Sequence, residues 1–115
     1  MLFENTGLVG LKSDLAYLDE SMDKVGFFRS QWDYNFATYD LKFEDKKNNA
    51  DYYLRINTRP IDGKLESPHA VLEIEAVYMG KAMRPQGIEY ESPIPQHLLT
   101  NATQRLEDLK RLLDA

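Results

Sequence analysis

Apolar residues recur along this chain with two different spacings. Leu15, Leu18, Met22 and Val25 follow at steps of three, four and three, one apolar stripe of an amphipathic helix. Asp19, Glu20, Asp23 and Lys24 fall on the other side. Ser13 is the expected N-cap, and Gly26 is expected to end the helix in the left-handed conformation. A second stripe, Leu98, Ala102, Leu106, Leu109 and Leu113, runs at steps of four, four, three and four. It predicts a long final helix, with Pro95 in its first turn and Glu107 paired to Arg111 on the wet side. Both stripes are expected to pack into a core.

Between the helices the period is two. Residues 27–32 read as a short aromatic strand, with Asp33 at the turn. In residues 34–44, Tyr39, Leu41 and Phe43 alternate with Asp40, Lys42 and Glu44, as in a half-buried strand. Trp32, Tyr34 and Phe36 have the opposite parity. Either both faces carry aromatics there or a bulge shifts the register between Phe36 and Tyr39. Residues 45–49 form a polar hairpin loop.

The next strand, residues 52–59, places Tyr52, Leu54 and Ile56 on one face and Tyr53, Arg55, Asn57 and Arg59 on the other. Pro60 is expected to end its pairing, and Asp62-Gly63 marks a turn. In residues 69–79, Ala70, Leu72, Ile74, Ala76 and Tyr78 alternate with Val71, Glu73, Glu75, Val77 and Met79. Residues 80–95 hold Gly80, Pro85, Gly87, Pro93 and Pro95. They read as irregular, and as too long for an idle connection. The first ten residues read as a short strand or an extended lead-in.

The expected order is β-α-β-β-β-β-α. It describes one α+β domain over residues 1–115, an antiparallel sheet of four to five strands with two helices on one face. In element order it resembles the TATA-binding-protein-like and helix-grip folds, a likeness that carries no function.

Composition adds exclusions. Cysteine is absent, which removes disulfides, thiolate nucleophiles and Cys-bound zinc. The first residues lack a basic and apolar leader, and no apolar run is long enough to span a bilayer, so a cytoplasmic protein with no membrane partner is expected. The net charge is −5. The one basic stretch (Lys46, Lys47, Arg55, Arg59, Lys64) is diluted by Asp51 and Asp62, which argues against nucleic acid as a partner.

Candidate chemistry is sparse. His69 and His97 are the only histidines, and neither has metal-ligand spacing, so no metal is expected. Glu73 and Glu75, like Glu89 and Glu91, are two apart and read as solvated or salt-bridged carboxylates. No phosphate loop or nucleophile elbow occurs. No catalytic residue and no cofactor is therefore assigned, and the balance is against an enzyme. If helices cover one sheet face, the other is open. Trp32, Tyr34, Tyr53, Arg55 and Arg59 are then the side chains suited to a partner. The bland alternative pairs Arg55 and Arg59 with Glu73 and Glu75.

Phe3-Glu4-Asn5-Thr6-Gly7, Gln31-Trp32-Asp33-Tyr34, Tyr52-Tyr53-Leu54-Arg55-Ile56, and Gly80-Lys81 with Gly87-Ile88-Glu89-Tyr90 together resemble the YugN-like family of small bacterial proteins. The resemblance implies a bacterial cytoplasmic protein with a TATA-binding-protein-like fold and assigns no activity. Two functional expectations follow. One is an interaction module, a homodimer or a binder of another protein, using the open face or a strand edge. The other is a small-ligand binder or enzyme with a pocket between sheet, last helix and residues 80–95, lined by Tyr90, Glu89, Arg55 and Trp32.

Overall fold

In the computed structural model, which describes residues 1–83 and 87–114, six strands form one antiparallel sheet. They are β1 (Lys12–Asp14), β2 (Phe28–Trp32), β3 (Ala37–Asp45), β4 (Ala50–Asp62), β5 (Val71–Met83) and β6 (Gly87–Glu89). The helices are α1 (Leu15–Val25) and α2 (Gln96–Asp114). The sheet order is β1-β5-β4-β3-β2, with β6 also paired to β5. The sixth strand lies inside the stretch that reads as irregular. Pro85 of that stretch is outside the described residues.

The helices form where the stripes predict, with their buried residues on one side. α1 is capped one residue later than expected. Asp14 Oδ1, not Ser13, accepts from the Tyr17 amide at 2.8 Å. Ser13 is held in β1 opposite Leu72, so Asp14 is the residue at the true helix boundary. At the other end Gly26 has φ 104°, and its amide reaches the Met22 and Asp23 carbonyls, a closure that glycine makes without a Cβ penalty. On α2, Arg111 pairs with Asp108 rather than Glu107.

Leu15, Leu18, Met22 and Val25 of α1 meet Leu98, Ala102, Leu106 and Leu109 of α2 in one core with Tyr39, Leu54, Ile56 and Val77 of the sheet. Two polar ties lock the helices together. Arg105 Nη1 donates to the Val25 carbonyl at 2.8 Å, and Tyr17 Oη to the Leu112 carbonyl at 2.5 Å. Both helices therefore cover the same sheet face.

Three irregularities decide what the other face presents. β2 shifts register between Arg29 and Gln31, upstream of the expected shift between Phe36 and Tyr39. β4 continues past Pro60 to Asp62, with a shift between them. On β5, Asn57 pairs with Ala76 while Thr58 pairs with Ile74. Glu75 is thus an extra residue, a bulge that reverses the facing of everything after it. Leu72 and Ile74 are buried before it, Val77 and Met79 after it. Tyr78, expected beside Leu72 and Ile74, is turned to the open face.

The two sheet edges differ. β5 is covered along most of its length. β1 pairs with residues 71–73, Gly10 and Leu11 bond Ile74, Phe3 bonds Val77, and Met1 bonds Met79. β6 covers residues 81–83. At the opposite edge, β2 pairs with β3 alone among the described residues.

Candidate functional site

The hairpin loop between β3 and β4 sets the geometry of the open face. Asp45 pairs with Ala50, and eight more residue pairs follow without a shift. That register puts Asp40 directly across from Arg55. Arg55 Nε donates to Oδ1 at 2.8 Å and Nη2 to Oδ2 at 2.9 Å, a two-pronged pair of the kind guanidinium geometry favours. The Asp40 side chain is 4% exposed and that of Arg55 19%. The arginine acts as a lid on the carboxylate. Hydrogen bonding to Asp40 raises the Arg55 pKa above its usual value, although burial opposes it.

The network continues across the sheet. Arg55 Nη1 donates to Tyr90 Oη at 3.3 Å. The Tyr90 ring meets Tyr78 edge-on, with centroids 4.9 Å apart. Asn57 Nδ2 donates to Tyr78 Oη at 2.5 Å, and Thr38 Oγ1 to Asn57 Oδ1 at 3.2 Å. Tyr90 reaches this place because Gly80 leaves room for it. A Cβ on Gly80 would collide with Ile88 and lie 2.7 Å from Tyr90 Cδ1. Glu89 braces the same turn, accepting from the Glu91 amide at 2.5 Å and Ser92 Oγ at 2.7 Å. Those bonds, Ser92 first, hold its carboxyl below the usual glutamate range. Burial, ahead of the other causes, raises the Tyr90 pKa.

Arg59 sits further along the face, with Nε 3.4 Å from Glu75 and Nη2 3.9 Å from Glu73. The ion pairing expected of Glu73 and Glu75 thus goes to Arg59, while Arg55 takes Asp40 instead. Tyr53 is half-buried on the same face.

Trp32 and Tyr34 do not join this group. Trp32 pairs with Ala37 at the free edge and lies under Arg29, whose guanidinium carbon is 4.8 Å from the ring centroid. Arg29 Nη2 also donates to Asp19 of α1 at 3.2 Å. Tyr34 projects from the β2–β3 turn, which Asp33 organises by accepting from the Asn35 and Phe36 amides. The pocket expected from Tyr90, Glu89, Arg55 and Trp32 against the last helix is therefore not assembled. Tyr90 and Arg55 lie on the face away from α2, and Trp32 is at the far edge.

The sequence reading missed Asp40, Tyr78 and Asn57. Asp40 was within reach, since counting back from the hairpin loop places it opposite Arg55. Tyr78 was not, because its facing depends on the Glu75 bulge. Among the described residues, no three His, Asp or Glu side chains converge on a metal-sized site, and no helix is long and apolar enough to cross a membrane.

The model of the YugN-like family matches residues 5–109. The chain belongs to the YugN-like family. A family relative, "Uncharacterized protein YlbA" of Bacillus subtilis (strain 168), is 33% identical over 114 residues, covering 96% of this chain and 93% of that one. The crystal structure of the uncharacterised conserved protein YugN from Geobacillus kaustophilus HTA426 superposes with a TM-score of 0.85 at 34% identity, covering 99% of this chain and 95% of that one. The family assignment confirms the resemblance seen in the sequence blocks, and the crystal structure supports the α+β fold. Neither description names an activity.

Proposed function

We propose that this YugN-like protein is a non-enzymatic interaction module that pairs with a second copy of itself through β2 and the turn that follows. The observation that carries this is the contrast between the edges. Among the described residues, β5 is covered over residues 71–74, 77–79 and 81–83, while β2 has a neighbour on one side only. The open face satisfies its own arginine and tyrosines and is the weaker candidate.

The exposed aromatics gather at the free edge. Phe28 is 53% exposed, Trp32 49%, Tyr34 67% and Phe36 37%. Aromatic side chains carry ~150–250 Å² each, so roughly 400 Å² of aromatic surface is in water along this edge, with Phe28 opposite Asp40 on the open face and Trp32 opposite the buried Ala37 on the helix face. That is comparable to the apolar half of a standard interface, which takes ~800 Å² per partner. Size alone does not separate such an area from the apolar surface of an ordinary monomer; its position along an unpaired edge does. Charge also permits self-pairing. Arg29, the charged residue of β2, is neutralised by Asp19, so two edges meet without like-charge repulsion. The bulge in β2 shortens the regular ladder, which leaves most of the contact to the aromatic side chains.

The test is sedimentation velocity over a micromolar-to-millimolar range, for the parent protein and for Trp32→Glu with Phe28→Glu. A dimer in the parent that becomes a monomer in the variant supports the proposal. The single tryptophan gives a second readout, because its emission should shift to shorter wavelength as the copies associate. A parent that stays monomeric at the highest concentration overturns it.

A further inference from the structure

A second feature lies on the covered edge, independent of the first. The N-terminal stretch does not follow β5 continuously. Phe3 N donates to the Val77 carbonyl and Gly10 N to the Ile74 carbonyl, both at 2.8 Å. Between them residues 4–9 swing off the sheet, and the Glu75 bulge falls in the same interval of β5. The two departures enclose a concavity of about 430 Å³, within the usual range of small-molecule sites. Leu2, Phe3 and Val9 give it apolar walls, and Glu4 and Glu75 are also in its lining.

This cavity is built by the fold. Asn5, Gly7 and Gly10 take positive φ values of 61°, 74° and 91°, the sharp turns a detour of this length needs. Leu8, within the detour, is fully buried in the core, and its amide donates to Thr6 Oγ1 at 3.1 Å. Gly7 lies against the Lys110 side chain of α2, so closely that a Cβ would collide. The loop is therefore anchored both to the core and to a helix, and the walls are set before any ligand arrives. Pre-set walls lower the cost of binding.

The charge of the lining narrows the occupant. No lysine or arginine lines the cavity among the described residues. Glu75 already shares Arg59 at 3.4 Å, while Glu4 has no ion-pair partner among the described residues. An apolar pocket with an uncompensated carboxylate at its rim fits a molecule with an apolar body and a cationic head. We infer that the cavity between residues 2–9 and the β5 bulge binds a small organic cation, an alkylamine or arylamine, with its hydrocarbon against Leu2, Phe3 and Val9 and its ammonium at Glu4.

Three probes of equal length and different head group separate this from generic apolar binding: n-hexylamine, n-hexanol and hexanoate. Each is titrated into the full chain while amide chemical shifts are followed by NMR. The inference expects saturating shifts at Leu2, Phe3 and Val9. The amine should bind about two- to fivefold tighter than the alcohol, the range of a solvent-exposed ion pair, and the carboxylate weakest. Glu4→Gln should bring the amine level with the alcohol, and Val9→Trp should abolish the shifts by filling the mouth. Glu4 and Val9 are both exposed, so neither change threatens folding. Any of three results overturns the inference: no saturating shifts from the three probes, hexanoate binding as tightly as hexylamine, or an amine preference that survives Glu4→Gln.

Discussion

Arg55 holds Asp40 by two parallel hydrogen bonds of 2.8 and 2.9 Å, across adjacent strands, on the sheet face that the helices leave open. A carboxylate 4% exposed on such a face needs its partner. Water reaches it poorly, and an unpaired buried charge is costly.

The pair therefore predicts an asymmetry between its single and double variants. Arg55→Met leaves Asp40 buried and unpaired and should cost about 3 kcal/mol. Replacing both, Arg55→Met with Asp40→Leu, removes the stranded charge and should recover most of that loss, to within ~1 kcal/mol of the parent. Urea unfolding of the three proteins checks this. A double variant no more stable than the single one would show that the pair matters for more than charge compensation.

Gly80 predicts a second, local effect. Gly80→Ala places a methyl against Ile88, 2.7 Å from the Tyr90 ring and 2.9 Å from the Glu89 carbonyl. The β6 segment must shift, with a loss of about 1–3 kcal/mol. Amide exchange at Ile88 and Glu89 should accelerate well before exchange in β3 and β4 changes. Uniform acceleration across the sheet would refute a local strap.

Tyr39 predicts an alkaline limit to stability. Its hydroxyl donates to Asp19 Oδ1 at 2.6 Å. Burial first, and then the bond to Asp19, raises its pKa far above the usual tyrosine value. The folded chain keeps this proton after the unfolded chain has released it at about pH 10. The stabilisation is fully present below that pH and falls as pH rises beyond it, because the native state then binds the extra proton. Tyr90, raised mainly by burial, adds in the same direction. The urea midpoint of the parent should decline above about pH 10, and Tyr39→Phe should flatten that decline. An unchanged slope in the variant would assign it to other groups.

Sequence alone determined the two helices and the central strands of this protein, because each is a local consequence of spacing. The stripes of Leu15, Leu18, Met22, Val25 and of Leu98, Ala102, Leu106, Leu109 fix two helices and the side each buries. Alternation through Tyr39, Leu54 and Ile56 fixes the central strands, and Gly26 and Asp33 fix an end and a turn. The blocks that resemble the YugN-like family were likewise legible. Strand order, the sixth strand and the contents of the open face came only with tertiary structure. The Glu75 bulge turns Tyr78 outward, and nothing in an alternating pattern records one extra residue in one strand of a pair. Tyr90 and Arg55 meet across 35 positions because Gly80 permits a crossing, a close approach that periodicity cannot encode. Which edge stays open depends on where residues 1–14 and 87–89 dock. Docking is a matter of long-range packing, and so the aromatic edge of β2 and the cavity beside Glu4 appear only in the folded chain.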